Sequence, residues 1–166
     1  MIELELVAVR VELPSNTPVV VLRELQGRRR MLSIFIGGPE ATAIAFAMEG
    51  VETPRPLTHD LFCDLLDGLS AQLERVVITE LRETTYYADL EVSSSAGLQH
   101  ISARPSDAVA LAVRVGCSIF SSEEVLEQAG FVEESEESEQ SDELPETVVE
   151  EFKQFIDQVS PEDFGA

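Results

Sequence analysis

Tryptophan is absent, lysine occurs once and cysteine twice in these 166 residues. Each shortage removes a class of protein. With 11 Lys and Arg against 32 Asp and Glu, a net charge of −21, the chain lacks the basic footprint of a free-standing nucleic-acid coat protein. Cys63 and Cys117 are too few for a disulfide framework or a four-thiolate zinc site. Both stand among apolar neighbours, as buried free thiols in a reducing compartment do. No stretch approaches the roughly 18 consecutive apolar residues of a membrane span. The opening Met1-Ile-Glu-Leu-Glu-Leu-Val has neither the basic nor the apolar segment of an export signal. The expectation is a cytoplasmic protein without membrane contact. A P-loop, a dinucleotide-binding glycine turn, an HExxH pair and a nucleophile elbow are also missing.

What is present divides unevenly. Residues 1–132 hold 19 acidic side chains and 10 arginines, a net −9; residues 133–166 hold 13 acidic side chains and only Lys153. At 44% hydrophobic the chain can bury a core, and its length suits one ordinary domain plus an appendage. The first piece is read as a folded domain, 1–132. Residues 133–144 are a Glu/Ser-rich linker with too little apolar surface to fold. Residues 145–160 form an amphipathic helix whose face carries Val149, Phe152, Ile156 and Val159. Such a helix on an acidic tether docks on its own core, a second copy or a partner. The ten arginines suit phosphate or carboxylate recognition better than lysine, and codon bias towards arginine is the plainer explanation.

Within the domain, alternation predicts strands at 2–13, 19–25 and 31–36. A helix opens at Gly37-Gly-Pro-Glu40 and ends at Gly50. Thr58 is the expected cap of a second helix, with Leu57 and Phe62 stapling it and Leu61, Phe62, Leu65, Leu66 and Leu69 as its apolar stripe. The pattern then recurs: strands at 73–81, 84–92 and 98–103, a helix from Pro105 to Arg114 closed by Gly116, and a last helix with a Ser121–Glu124 capping box, a Phe120–Val125 staple and Gly130 at its end. Pro39–Gly50 aligns with Pro105–Gly116 without a gap. The expected fold is therefore α+β. Two βββαα repeats, about 1–70 and 71–131, arise by internal duplication and join into one mixed or antiparallel, barrel-like sheet with helices packed against it.

Three blocks carry a resemblance: Pro39-Glu-Ala-Thr-Ala-Ile-Ala45 followed by Gly50, Arg55-Pro-Leu-Thr-His-Asp-Leu61, and Ala103-Arg-Pro-Ser-Asp-Ala-Val-Ala-Leu-Ala112. Over roughly residues 1–130 the chain resembles the bifunctional nuclease domain family. The resemblance implies a fold of two βββαα repeats around a barrel-like sheet, and cleavage of both DNA and RNA. Some relatives carry an extra C-terminal coiled module, in whose place this chain has the acidic linker and helix.

The chemistry these blocks permit is concrete. His59 and Asp60 fall in the first turn of a helix, where backbone N–H groups and the dipole favour an anion. A phosphodiester can rest there, with Arg55 as clamp and His59 moving a proton. Asp60 and Asp64, four apart on one face, can share Mg²⁺ or Mn²⁺, with Glu40 as a further carboxylate. Arg104 and Asp107 stand beside the second repeat's helix start, with Ser106 between them as a substrate contact; no histidine spacing makes Ser106 a nucleophile. The catalytic candidates are Arg55, His59, Asp60, Arg104 and Asp107. The substrate-binding candidates are Arg55, Arg104 and Ser106, and the metal candidates Glu40, Asp60 and Asp64. Against each stands a structural alternative: caps, dipole complements and an Arg–Asp pair tying two elements together. Arg28-Arg29-Arg30 reads as a solvated turn or a phosphate contact, and Tyr86 and Tyr87 as strand packing or base stacking.

Two functions follow. One is a metal-dependent nuclease acting on DNA and RNA, for which Arg55 and Arg104 should share a cleft. The other is a non-catalytic module that binds an anion or a protein, associating as a homo-oligomer or with a protein partner through residues 145–159.

Overall fold

A computed structural model describes residues 1–132; the expected linker at 133–144 and helix at 145–160 lie outside the described residues. The elements are β1 (Ile2–Glu12), β2 (Thr17–Glu24), β3 (Met31–Phe35), α1 (Gly38–Glu49), α2 (Thr58–Gly68), β4 (Gln72–Arg82), β5 (Thr85–Ser94), β6 (Gly97–Ala103), α3 (Pro105–Val115), β7 (Ser118–Ser121) and α4 (Glu123–Ala129). All seven strands form one mixed sheet, ordered β3-β2-β1-β7-β4-β5-β6. Every pair is antiparallel except β4 with β7.

The fold is α+β, as expected, but the sheet is not closed. β3 and β6 are its outer strands. The two halves meet through β7, which pairs with β1 on one side and β4 on the other. Among the described residues the outer edge of β3 is met at a single point, where Met31 exchanges backbone hydrogen bonds with Phe131 at 2.6 and 3.0 Å. β7 escaped the sequence reading because four residues are too short to show a period, and both its partners are distant in the chain. It also makes the halves differ: β1-β2-β3-α1-α2 against β4-β5-β6-α3-β7-α4. The correspondence that remains lies at the helix ends. Gly50 and Gly116 close α1 and α3 in the left-handed conformation, at φ 64° and 73°, where a Cβ would be strained.

Alternation sorts the strand residues by face. Leu32 and Ile34 of β3 join Val20, Leu22, Val76, Ile78 and Leu90 in the main core, under the helices. Val19, Val21 and Met31 form a small cluster elsewhere, with Val7 against it. α3 is the central helix: Pro105, Ser106 and all of Ala108–Ala112 are buried. Its alanines let it lie close over β4 and β5 with α1 and α2 beside it. Each fully buried aliphatic side chain, such as Leu22, Leu32, Ile44 or Ile78, contributes roughly 1.5–3 kcal/mol.

Two caps differ from expectation. Thr58 is the first residue of α2 and Leu57 occupies the cap, its N–H donating to Asp60 Oδ2 at 2.9 Å. Asp60 thus supplies the reciprocal half of a capping box, holding the N–H of the cap residue. Ser122, not Ser121, caps α4, accepting from the Val125 N–H at 3.3 Å. Ser121 is the last residue of β7 and fully buried; the unforeseen strand moves the helix start by one. The apolar stripe of α2 is also less covered than its pattern suggests. No α2 residue is buried. Cys63 and Leu66 pack against the core, while Leu61, Leu65 and Leu69 are exposed.

Candidate functional site at three helix N-termini

The first turns of α1, α2 and α3 supply one cluster of charged side chains. Pro39 and Pro105 fit the starts of α1 and α3, where no N–H is required. Glu40 lies in the first turn of α1, His59 in that of α2, and Asp107 in that of α3, with Arg104 as its N-cap.

Arg104 binds the cluster together. Its Nε donates to Asp107 Oδ2 at 2.7 Å and its Nη2 to Asp107 Oδ1 at 3.0 Å, a two-pronged grip. Nη2 also reaches Glu40 Oε1 at 2.7 Å. On the far side of Asp107, His59 Nε2 lies 3.1 Å from Oδ1. Burial pushes the Asp107 carboxyl up, but Arg104 and His59 together bring it below the usual aspartate range. The two acidic partners push the Arg104 guanidinium further up. The His59 side chain is only 13% exposed, whereas that of Arg104 is 66% exposed and offers a face to solvent. A Cβ at position 37 would collide with the Glu40 carboxylate. Glycine there lets Glu40 fold back over its own helix start.

Asp60 turns the other way. Its Oδ1 accepts from Arg114 Nε at 2.6 Å, and Arg114, nearly buried, also donates to the Ala110 carbonyl. Arg114 and then the Leu57 N–H hold the Asp60 carboxyl below its ordinary value. This pair ties α2 to α3. Sequence reasoning did not single out Arg114, although it follows Asp107 by seven on α3 and therefore shares its face.

Two cavities flank Arg104. One, of about 520 Å³, is lined by Glu40, Thr42, Leu57, His59, Arg104 and Asp107 among others. The second, of about 390 Å³, lies between the end of β3, the β4–β5 turn and the start of α3, and includes Phe35, Tyr86, Arg104 and Ser106. That one cavity touches both β3 and β5 shows how far the open sheet curls.

The structure thus brings His59, Arg104, Asp107 and Glu40 together. Ser106 is buried and lines the second cavity. Arg55 is exposed in the loop before α2 and lines neither cavity, so it does not share the cleft with Arg104. Asp64 is exposed on α2. Among the described residues no three His, Cys, Asp or Glu side chains are grouped so as to hold a metal ion. Asp60 is committed to Arg114 and Glu40 to Arg104, so Glu40, Asp60 and Asp64 do not fit a Mg²⁺ or Mn²⁺ centre. Elsewhere, Arg30 is buried between Glu24 and Glu123 rather than solvated, and Tyr87 packs under Arg82. No described helix is long and apolar enough to cross a membrane.

The site is thus a carboxylate-held histidine beside an arginine, in a cleft of helix N-termini on an α+β domain. The chain belongs to the bifunctional nuclease domain family, whose sequence profile matches residues 20–134. It is also 50% identical over 166 residues to uncharacterized proteins from two strains of Mycobacterium tuberculosis, the alignment taking 99% of this chain and 98% of each relative.

Proposed function

We propose that the chain cleaves phosphodiester bonds of DNA and RNA in the cleft between α1, α2 and α3. The observation that carries this is the His59–Asp107–Arg104 relay at 3.1 and 2.7 Å. Asp107 accepts from His59 Nε2–H and so leaves Nδ1 free to take a proton. A water, or a ribose 2′-hydroxyl, gives its proton to Nδ1 as its oxygen bonds to phosphorus. The opposite P–O bond breaks, and the leaving oxygen takes up a proton from solvent water. The exposed face of Arg104 stabilises the charge that builds on the phosphoryl oxygens. The proton acceptor, its carboxylate partner and the charge-stabilising cation in this scheme are all side chains of this protein. A requirement for Mg²⁺ or Mn²⁺ is left to the assay, since the described carboxylates offer no ligand group.

The test is cleavage of labelled single- and double-stranded DNA and RNA with Mg²⁺, Mn²⁺ or EDTA. His59→Ala should lower the rate about 10²–10⁴-fold with unchanged circular dichroism, and Asp107→Asn should also lower it. Asp64→Ala should leave it unchanged. Full activity in His59→Ala would remove the proposal.

A second reading has its own support. Arg104 is already neutralised by two carboxylates, as in a structural knot. On that reading the chain is a non-catalytic module for an anion or a protein, associating through residues 145–159. Absence of cleavage under all conditions, with a Phe152→Asp variant of the full chain losing self-association in light scattering, would favour it.

A further inference from the structure

The cavity beyond Arg104 is not used by the chemistry above. Its size, about 390 Å³, is in the range that takes a small organic group. Its lining is uncommon for this molecule, which has two tyrosines and no tryptophan. Phe35, at the end of an outer strand, is 62% exposed. Tyr86 is half-buried against the main core and lines the same space. Thr84 and Thr85 also line it. Arg104 borders both this cavity and the His59 cleft.

We propose that this cavity receives an unpaired nucleobase, stacked on Phe35 and Tyr86, while Arg104 meets the adjoining phosphate. The substrate class is then single-stranded DNA or RNA. This rests on the cleavage site proposed at His59. A base inside a duplex has its faces covered by its neighbours, and only an unpaired or extruded base offers one to an aromatic side chain. Electrostatics point the same way. Duplex DNA presents one charge per ~1.7 Å and needs a basic track. Here residues 1–132 carry a net −9, and among the described residues seven of the ten arginines are in ion pairs. A short single strand held by one stacked base and one arginine asks far less of that surface.

The experiment measures binding apart from cleavage. The full chain carrying His59→Ala is titrated, in EDTA and low salt, into fluorescein-labelled eight-nucleotide DNA, the same sequence as RNA, and a blunt duplex, read by anisotropy. Both single strands should bind about tenfold or more tightly than the duplex. Adding Phe35→Ala should weaken single-strand binding about fivefold to hundredfold and leave duplex binding unchanged, while Phe35→Trp should restore it. Equal binding of single strand and duplex, no effect of Phe35→Ala, or no binding of any strand would overturn the proposal. The two readings fail separately. Cleavage that needs His59 with binding indifferent to Phe35 rejects the base cavity alone. Phe35-dependent binding with full cleavage in His59→Ala rejects the catalytic assignment alone.

Discussion

Arg30→Met should be the most damaging single change outside the apolar core. Arg30 Nε and Nη2 donate to the two Glu24 oxygens at 3.1 Å each, and its backbone N–H adds a 3.2 Å bond to Oε2. Nη1 donates to Glu123 Oε1 at 2.9 Å, joining the β2–β3 hairpin to α4 across 93 residues. The Arg30 and Glu24 side chains are only 8% and 5% exposed. The Glu123 arm, half in solvent, contributes at most about 1 kcal/mol. Removing Arg30 leaves Glu24 buried without its counter-charge, which costs about 3–5 kcal/mol. For a folded region of this size that lowers the melting temperature by roughly 10–20 °C. Adding Glu24→Gln should recover much of the loss, because removing both charges is far cheaper than stranding one. The pH dependence fixes the cause. Arg30 holds the Glu24 carboxyl below its ordinary 4.5, so this stabilisation is fully present above about pH 4.5 and is lost as pH falls through the lowered value. In Arg30→Met the stranded carboxyl protonates readily, so the gap between variant and parent should narrow on acidification. Urea unfolding followed by circular dichroism between pH 3.5 and 7.5 measures both. A loss under 1 kcal/mol at pH 7, or a gap independent of pH, would refute the argument.

Other variants separate packing from pattern. Ile78→Ala, at a fully buried position, should cost about 2–5 kcal/mol in urea unfolding, whereas Leu65→Ala, at an exposed one, should stay within about 0.5 kcal/mol. Gly116→Ala should cost about 1–2 kcal/mol from its left-handed backbone alone, since a Cβ there meets nothing within 4 Å; a neutral result in the same assay would sink that account. Burial pushes the Cys117 thiol up to about 11 and Cys63 also up. At pH 8 Cys117 should react with a disulfide reagent roughly two orders of magnitude more slowly in the native protein than in urea, and Cys63 should also be slowed; equal rates would contradict it.

Much of the architecture was legible because it is local. Six strands, four helices and the left-handed closures at Gly50 and Gly116 follow from periods and punctuation within a dozen residues. What the chain hid was non-local or short. β7 exists because β1 and β4 flank it. The cap of α2 is Leu57, whose N–H is held by Asp60 from within the first turn, so Thr58 looked better placed than it is. The site divides the same way. Helix starts flagged Glu40, His59, Arg104 and Asp107, and these four do meet. Spacing alone also paired Asp60 with Asp64, yet Arg114 draws Asp60 aside. Arg55 shares a sequence block with His59 but not its cleft. Phe35 read as an ordinary strand residue and Tyr86 as strand packing or base stacking, and only the curl of the sheet puts them in one cavity with Arg104.

β7 has a consequence for how the chain is made. It is four residues long, lies near the end of the described domain, and separates β1 from β4 in the middle of the sheet. During synthesis β1, β2 and β3 can form a meander early, and β4, β5 and β6 another, but they have no common sheet until Ser118–Ser121 emerges. The wedge that joins them must enter between two strands already flanked by hairpins, one of which it meets in parallel. Long-range pairing of this kind is slow, and the waiting edges of β1 and β4 are open to the wrong partner. The boundary near residue 70 suggested by the repeating pattern is therefore a seam in sequence but not in folding.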